Sequence, residues 1–373
     1  MKRIFIILSV VALVSCNHGT LKSDKDGHLY DDDGITVIDL HGDWYQMGRQ
    51  YGILAKDKIE DILNYLDGKL SGDSEKEAAA GITDSLFSIY PDYLKDFFEG
   101  VSQTSGLSIE RLKLCNAVEY AEGSFHCSAL AVWDDFGEGK LVFGRNYDAV
   151  SYSEIDRDLV VTVYHPTGRM AAATIGYAGE LYCVNGFNEN GIFLELNNGM
   201  PSAGNKIHWE LCPSTTYLFD LLFDARDLDD VDDFFANTRS FASFIIGVAD
   251  SNEARSYEWC YDGVKRGDEM TEPGLMVATN HYVHDTWAFR VPSDEESWMS
   301  ITRRCGLLDR GRKFKGAIGV EKMKEIMSTP LEEGGPFNAN TRYQIVAVPE
   351  DLTLHVNFPY NGKWVEIDMK EYF

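Results

Sequence analysis

The sequence lacks the short fingerprints of several large enzyme classes. It contains no Gly-x-Ser-x-Gly nucleophile elbow, no P-loop and no glycine-rich dinucleotide motif. Basic residues are scarce as well: 34 Lys and Arg stand against 60 Asp and Glu, for a net charge of −26. Such a surface repels phosphate backbones, so we expect no nucleic-acid partner. Internal repeats and low-complexity segments are absent, and 373 residues with 44% hydrophobic content are enough to bury a large core.

The cysteines do not form a disulfide framework. Of the seven, Cys16 and Cys127 have separate explanations given below, and the other five are an odd number at irregular spacing. We expect most of them to be small buried side chains, and one disulfide remains open. His281 and His284 lie close in sequence but lack carboxylate or Cys companions at metal-ligand spacing. The sequence therefore predicts no metal site and no cofactor.

The first 16 residues have the pattern of an export signal. Lys2 and Arg3 precede the apolar stretch Ile4–Val14, which is too short to span a bilayer as a mature helix. The stretch ends in Leu-Val-Ser-Cys16, which resembles the lipobox of bacterial lipoproteins. The resemblance implies cleavage before Cys16 and lipid on its sulfur; the alternative is an ordinary secretory signal with an incidental Cys.

That resemblance carries expectations about location and about the next segment. Asn17 after the Cys fits an outer-membrane destination, so we expect a chain held in the bacterial cell envelope by its lipid anchor alone, on the outer membrane or facing the periplasm. Residues 17–34 are polar and rich in Asp, Lys and Gly, which predicts a flexible tether. The oligomeric state is not predictable from the sequence.

Beyond the tether, the residue pattern changes once. Residues 35–126 carry apolar residues at helical spacing from Trp44 onward and are predicted to be a helical N-terminal segment. Residues 127–373 begin with strands, continue with helical patterns and return to strands, which predicts an α+β sandwich with helices outside two antiparallel sheets. The elements predicted there are strands at 159–164, 170–175, 181–185, 192–197, 244–248, 255–261, 275–278, 344–348, 352–357 and 364–369, and helices at 217–223, 231–237, 301–311 and 320–327.

Cys127 opens the first apolar run of the second region. A second run follows and ends in Gly144-Arg145-Asn146-Tyr147-Asp148, so the Arg lies 18 residues (145 − 127) and the Asp 21 residues (148 − 127) past the Cys. Two antiparallel strands joined by the turn at 134–139 bring the start of one strand beside the end of the other. We therefore expect a thiol, a guanidinium and a carboxylate to meet at one sheet edge, where they can serve as a catalytic cluster.

These motifs resemble the N-terminal-nucleophile amide hydrolases of the choloylglycine-hydrolase and acyl-coenzyme A:6-aminopenicillanic acid acyltransferase type. The family's signature is a Cys-Thr/Ser opening a strand, here Cys127-Ser128, and Gly-Arg-Asn-x-Asp about 20 residues on. Three further segments are similar to family motifs and extend the likeness from about residue 40 onward. They are Gly42-Asp-Trp-Tyr-Gln-Met-Gly-Arg-Gln-Tyr-Gly52, Gly186-Phe-Asn-Glu-Asn-Gly-Ile192 with Asn197-Asn198, and Thr279-Asn280-His281.

The resemblance implies a four-layer αββα sandwich with an N-terminal helical segment. It also implies a hydrolase that cleaves the C–N bond of a small N-acyl amide through Cys127 and a thioester. Asn197 and Asn280 are the candidates to stabilise the oxyanion, with Asn198 competing, and Arg303 or Arg304 stands where the family often has an active-site Arg. An acyltransferase, a bile-salt hydrolase and a surface lipoprotein that only binds a ligand are the alternatives.

The chemistry of the residues agrees with this interpretation. A thiol attacks as thiolate with an ordinary pKa of about 8.5, and a free α-amino group titrates at about 7.7–8.0. A Cys that carries its own N-terminus therefore has a base at hand, while Arg145 favours the thiolate and Asp148 orients the amine or thiol. Tyr147 and Phe187 lie nearest the motifs and are the candidates to line an acyl pocket.

This mechanism requires residue 127 to be N-terminal, although 126 residues precede it. We therefore expect cleavage between His126 and Cys127, through attack of the same thiol on the preceding carbonyl. His126 departs from the Gly that is common there in the family, and we interpret it as incidental to the cleavage.

Overall fold

The computed structural model describes residues 19–70, 72–116, 126–149 and 153–373. Within these ranges the helices are α1 (Trp44–Leu54), α2 (Lys56–Lys69), α3 (Asp73–Ser88), α4 (Asp92–Ser105), α5 (Ile109–Cys115), α6 (Met200–Ala203), α7 (Ser214–Asp224), α8 (Leu228–Asn237), α9 (Ser300–Lys313) and α10 (Val320–Met327). The strands are β1 (Gly19–Asp24), β2 (Gly27–Asp32), β3 (Ile35–Gly42), β4 (Ser128–Val132), β5 (Val142–Asp148), β6 (Leu159–Pro166), β7 (Ala172–Tyr177), β8 (Asn185–Asn188), β9 (Phe193–Asn198), β10 (Phe244–Ala249), β11 (Ala254–Cys260), β12 (Gly263–Arg266), β13 (Leu275–Ala278), β14 (Thr341–Val348), β15 (Thr353–Asn357) and β16 (Val365–Asp368).

The described strands form two sheets. The first sheet has the order β1-β2-β3-β6-β7-β8-β9-β10-β11-β12, and the second has the order β13-β4-β5-β14-β15-β16. Neighbouring strands are antiparallel except for β3 and β6, which run parallel. This parallel pair joins the N-terminal segment to the rest of the first sheet.

Side chains alternate between the two faces of a strand, so each sheet has one face toward the other sheet and one face toward the helices. Phe143 of β5 and Phe193 of β9 meet between the sheets with ring centroids 5.0 Å apart. On the outer face of the first sheet, Tyr164 of β6 packs against Phe219 of α7 at 5.3 Å. The outer face of the second sheet packs on α9 and α10 in a separate apolar cluster that includes Leu130. Helix, sheet, sheet and helix therefore stack in that order, and the predicted αββα sandwich is confirmed.

Close helix packing explains Gly48 and Gly52, the helical glycines of the segment from Gly42 to Gly52. A Cβ at Gly48 of α1 would lie 2.2 Å from the carbonyl oxygen of Phe97 in α4, and a Cβ at Gly100 of α4 would lie 2.3 Å from the carbonyl oxygen of Tyr45. The backbones of the two helices thus touch directly, which only glycine allows. This contact fixes the pair α1–α4 that covers β3 and β6.

Three predictions about the elements need correction. The tether predicted at 17–34 instead forms, from Gly19 onward, the antiparallel hairpin β1–β2, which continues into β3. The strand predicted at 181–185 starts only at Asn185. The sheets were predicted to be purely antiparallel, and the β3–β6 pair is parallel. The other elements predicted between 127 and 373 are present, with ends shifted by up to three residues.

The signal segment, with Cys16, lies outside the described residues. Among the described helices, none has the length and hydropathy to cross a membrane.

Candidate active site

The hairpin β4–β5 brings Cys127 beside the Arg-Asn-x-Asp segment, as predicted. Ser128 pairs with Asn146 and Ala129 with Arg145 in the antiparallel ladder. The ladder extends one step further, because the backbone N–H of His126 donates to the carbonyl oxygen of Asp148 at 2.9 Å. Since side chains alternate, Cys127 lies on the same face as Ala129 and Arg145, which is the face between the two sheets.

The thiol of Cys127 is completely buried and free. Burial raises its pKa to about 11, although Arg145 acts in the opposite direction. The carboxylate of Asp148 raises the pKa further, while the backbone N–H of Asp148 lowers it. With residue 126 attached, the thiol is therefore protonated at neutral pH, and its attack on a carbonyl carbon has to release that proton.

Arg145 is buried in a set of acceptors that together use all three nitrogens of its guanidinium. It donates to Asn185 Oδ1 at 2.7 Å, to Glu195 Oε2 at 2.5 Å, to Asn197 Oδ1 at 2.7 Å and to the carbonyl oxygen of Leu196 at 2.8 Å. Burial acts to lower the pKa of Arg145, but the acidic groups around it, Cys127 and Glu195 first among them, outweigh burial and raise this pKa. Arg145 and Asn197, both predicted site residues, are thus in direct contact.

Glu195 was not predicted to belong to the site. It is completely buried on β9, and its Oε1 accepts from Asn197 Nδ2 at 2.8 Å. Burial raises its pKa to about 7, against the opposing effect of Arg145. A single acid at an inward position of an apolar strand is the sequence signal that identifies such a residue.

The choice between Asn197 and Asn198 is decided by the faces of β9. Asn197 points toward Arg145 between the sheets. Asn198 points the other way, and its Oδ1 accepts from the backbone N–H of Met200 at 2.9 Å. Asn197 is therefore the member of the pair in the Arg145 network.

Arg303 of α9 reaches Cys127 from the outer side of the second sheet. Its Nη1 donates to the carbonyl oxygen of Cys127 at 2.6 Å and to Ser128 Oγ at 2.7 Å. Its Nη2 donates to Asn280 Oδ1 at 2.7 Å, while Asn280 Nδ2 donates to the carbonyl oxygen of Asn198 at 2.9 Å. Arg304 instead donates to the carbonyl oxygen of Val277. Of the two arginines, Arg303 is the one that contacts Cys127.

Asp148 lies at the end of β5, where Asn338 Nδ2 donates to its Oδ2 at 2.7 Å. Burial raises the pKa of this carboxyl, and Arg303 is the largest opposing influence. Arg303 in turn has a lowered pKa, because burial outweighs the effect of Asp148 and Cys127. Asn338 was not predicted, since it lies 190 residues from Asp148 in sequence.

The two aromatic candidates occupy different places. Tyr147 stacks on Tyr343 with centroids 4.6 Å apart, and the guanidinium of Arg145 lies 5.6 Å from its ring centre. Phe187 lies in the core, where its ring packs against Phe193 and Phe373. Tyr147 therefore belongs to the surroundings of Cys127, whereas the ring contacts of Phe187 are with other aromatic side chains of the core.

A strained loop holds the residue that precedes Cys127. Trp298 and Met299 have left-handed backbone angles (φ 56° and 61°), which non-glycine residues seldom adopt. The ring of Trp298 stacks on His126 with centroids 3.7 Å apart, and its carbonyl oxygen accepts from Arg303 Nε at 3.2 Å. The loop thus fixes both His126 and the arginine that binds the Cys127 carbonyl.

No family model matches the chain, and no curated protein does. Among solved structures, an N-acylethanolamine-hydrolyzing acid amidase ortholog from Caenorhabditis elegans is similar with a TM-score of 0.47 at 16% identity, over 60% of this chain and 93% of that one. The conjugated bile acid hydrolase of Clostridium perfringens is similar with a TM-score of 0.45 at 12% identity, over 66% and 93%. Penicillin V acylase from Agrobacterium tumefaciens is similar with a TM-score of 0.43 at 9% identity, over 66% and 86%. Each score lies below 0.5, so the roles of residues here rest on the contacts of this chain.

Proposed function

We propose that this chain is a cysteine amidase that cuts itself between His126 and Cys127 and then hydrolyses the C–N bond of a linear N-acyl amide. The observation that supports it best is the convergence of charged groups on Cys127. Arg145 and Asp148 act on its thiol, while Arg303 binds its carbonyl oxygen and Asn280 together. The motif resemblance to N-terminal-nucleophile amide hydrolases supports the same function.

In the proposed self-cleavage, Sγ of Cys127 attacks the carbonyl carbon of His126. The peptide C–N bond breaks as the C–S bond forms, and the proton of the thiol moves to the departing nitrogen. Water then hydrolyses the thioester and leaves a carboxylate on His126 and a thiol on Cys127. The stacking of Trp298 on His126 supports this step, because a fixed scissile peptide favours attack by a neighbouring group.

In the proposed turnover, the new α-amine of Cys127 accepts the proton of the thiol. A free α-amine titrates at about 7.7–8.0, so it can serve as the base for the buried thiol during turnover. The thiolate attacks the amide carbonyl of the substrate, and the ammonium group then protonates the departing nitrogen. Water resolves the thioester and releases the acid. Hydrolysis is favoured over transfer because water is abundant in the cell envelope.

The asparagines and arginines take supporting roles in this proposal. An amide nitrogen carries two N–H donors, and Asn197 Nδ2 uses one of them on Glu195. We assign its other N–H, together with Asn280, to the oxyanion of the tetrahedral intermediate. Arg145 then holds Asn197 in place through its oxygen, and Arg303 does the same for Asn280.

The cleavage is tested by the masses of the purified protein. We expect two fragments, 127–373 (247 residues) and one that ends at residue 126, and we expect Cys127→Ala to stay whole. Cys115→Ala is the matched control, because Cys115 is also a buried free thiol, with a pKa raised to about 12 by burial. A wild-type chain that remains intact, or a Cys127→Ala chain that is still cut, would overturn the proposal.

Substrate turnover is tested with chromogenic N-acyl amides of different acyl length. Cleavage by the cut wild type, blocked by iodoacetamide at Cys127, is the expected result. An added amine separates hydrolysis from acyl transfer: if new amide forms faster than free acid, the chain is a transferase. A chain that is cut but releases no amine from any such amide would contradict the amidase activity.

We also propose that the chain is lipid-anchored in a bacterial cell envelope. Support comes from the sequence alone, through Lys2, Arg3, the apolar stretch Ile4–Val14 and the lipobox-like end at Cys16. The test is metabolic labelling with an alkyne fatty acid in a bacterial host. Label in the wild type and none in Cys16→Ser is expected, whereas an unlabelled wild type would refute the anchor.

A further inference from the structure

A second cluster of reactive side chains lies in the first sheet, on the face shared by β3 and β6. His41 of β3 and His165 of β6 are partners in the parallel ladder, and Asp39 lies two residues before His41 on the same face. Asp39 Oδ2 is 3.1 Å from His41 Nε2, and Asp39 Oδ1 is 3.0 Å from His165 Nε2. The two imidazole rings stack with centroids 4.0 Å apart. Each of the three residues has one atom of a type that can bind a metal ion, and these three atoms all lie within 4.8 Å of one another.

The contact between Asp39 and His165 is short but is not a hydrogen bond. Asp39 is 7% exposed, and both its Oδ1 and His165 Nε2 are buried without a hydrogen-bond partner among the described residues. A third atom that bound both of them would satisfy these two buried polar atoms. Ligands bound to one zinc ion at about 2.0–2.2 Å lie about 3.0–3.5 Å from each other. The separation between Asp39 Oδ1 and His165 Nε2 therefore fits one edge of a coordination shell. His41 Nε2 is hydrogen-bonded to Asp39 Oδ2, and His41 has to turn out of its stack on His165 to point its lone pair at the same ion.

We propose that Asp39, His41 and His165 form a binding site for one divalent transition-metal ion, with zinc as the first expectation. Two imidazole nitrogens and one carboxylate oxygen suit zinc and its first-row neighbours better than magnesium or calcium, which prefer oxygen ligands alone. Three protein ligands leave a position for water.

Surrounding groups are consistent with metal entry and with a further ligand. The side chain of His41 is 37% exposed and that of His165 is 20% exposed, so an ion can reach the site from solvent. A cleft of about 240 Å³ borders His41 and is also lined by the acids Asp24 and Asp26. His28 of β2 faces Asp39 directly across the ladder, and its Nδ1 is buried without a hydrogen-bond partner among the described residues.

The position of the site gives it a structural consequence that rests on the proposed cleavage. β3 precedes the bond between residues 126 and 127, and β6 follows it. After the cut, Asp39 and His41 belong to one fragment and His165 to the other. The ion would then link the two fragments across the parallel strand pair.

Metal binding is tested on the full chain in the uncut Cys127→Ala background, where neither cleavage nor that thiol interferes. After treatment with a chelator, we expect one Co²⁺ per chain, with visible d–d absorption and no thiolate charge-transfer band, and displacement by Zn²⁺. Asp39→Asn, His41→Gln and His165→Gln should each weaken binding by about 100-fold or more. His208→Gln is the control, because His208 has the same 3.1 Å contact with a carboxylate but stacks on a tyrosine ring.

The Co²⁺ spectrum of the Cys127→Ala parent chain tests metal binding by itself, so the test remains valid even if one of the ligand variants fails to fold. Absence of stoichiometric binding in the parent, or equal binding by His165→Gln and His208→Gln, would overturn the site. The linking role is tested separately on the cut wild type. A chelator should lower the urea concentration at which the fragments separate in size-exclusion chromatography, and it should have no effect on His165→Gln. Equal separation with and without metal would refute the linking role and leave the binding result standing.

Discussion

The guanidinium of Arg303 donates to the carbonyl oxygen of Cys127 at 2.6 Å, across a separation of 176 residues. The same side chain donates to Asn280 Oδ1 at 2.7 Å. One buried cation thus sets the position of the proposed nucleophile and of a proposed oxyanion donor at once. Hydrogen bonds that involve a buried charge are strong, and removing the charge leaves its acceptors unsatisfied.

Replacing this arginine by lysine should slow the proposed self-cleavage. A lysine ammonium cannot reproduce the planar fork that joins the Cys127 carbonyl to Asn280, so we expect Arg303→Lys to cut about 10²-fold more slowly, or slower. The half-time of fragment appearance after refolding measures the effect. Arg304→Lys should cut at close to the wild-type rate, because Arg304 makes its hydrogen bond to Val277. Equal slowing by both substitutions would indicate a general loss of structure instead.

The charge of Asp148 should be visible in the titration of the Cys127 thiol. Since that carboxylate raises the thiol pKa, Asp148→Asn should lower it, and alkylation at a fixed alkaline pH should become faster. Both chains are compared in the slowly cut Arg303→Lys background, by mass spectrometry of the alkylated peptide as a function of pH. Cys115 in the same samples should keep an unchanged profile. A midpoint for Cys127 that stays in place or rises would contradict this electrostatic effect of Asp148.

Glu195 should make the stability of the fold depend on pH. Its pKa is raised from 4.5 to about 7 in the folded chain, so the folded state binds the proton more tightly than the unfolded state. Its contribution to stability is fully present below about 4.5 and is lost as the pH rises through about 7. Urea unfolding at pH 5 and pH 8 should therefore show a smaller pH dependence for Glu195→Gln than for the wild type. Glu189→Gln, on the exposed turn between β8 and β9, is the control and should show the pH dependence of the wild type. If Glu195→Gln also keeps the wild-type pH dependence, Glu195 is not its source.

The space around two helical glycines, Gly48 and Gly68, predicts opposite effects of their replacement by alanine. A Cβ at Gly48 would come 2.2 Å from a backbone oxygen, so Gly48→Ala must push the helices apart and should cost about 1–3 kcal/mol. A Cβ at Gly68 of α2 would meet nothing within 4 Å, so Gly68→Ala should gain about 0.5–1 kcal/mol from helix propensity. Thermal unfolding of both variants measures the difference. A neutral or stabilising Gly48→Ala would show that the helices do not pack this closely.

Much of the fold follows from local patterns, and the hairpin that holds Cys127 is the clearest example. Alternation of apolar residues and the turn at 134–139 are enough to predict the pairing of β4 with β5. The hairpin β1–β2 escaped prediction because its residues are polar and glycine-rich, and it is ordered by pairing with β3. Pairing between distant segments leaves no local pattern in a sequence.

The site residues also divide into those that a local sequence pattern predicts and those that only the fold brings together. Arg145 and Asp148 are predictable because they share a hairpin with Cys127. Sequence alone could not separate Arg303 from Arg304, since the packing of α9 on the second sheet decides which one faces Cys127. The pair His41 and His165 was missed for a similar reason: 124 residues (165 − 41) separate them, and only the parallel ladder joins them.

The reach of Arg303 back to Cys127 also bears on timing. A chain emerging from the ribosome carries its thiol long before residue 303 has been synthesised. During translation, the proposed nucleophile therefore lacks the cation that positions it. In the proposed reaction, cleavage can begin only after Arg303 has been synthesised and has packed against Cys127. The presence of two fragments would then show that a chain had folded this far.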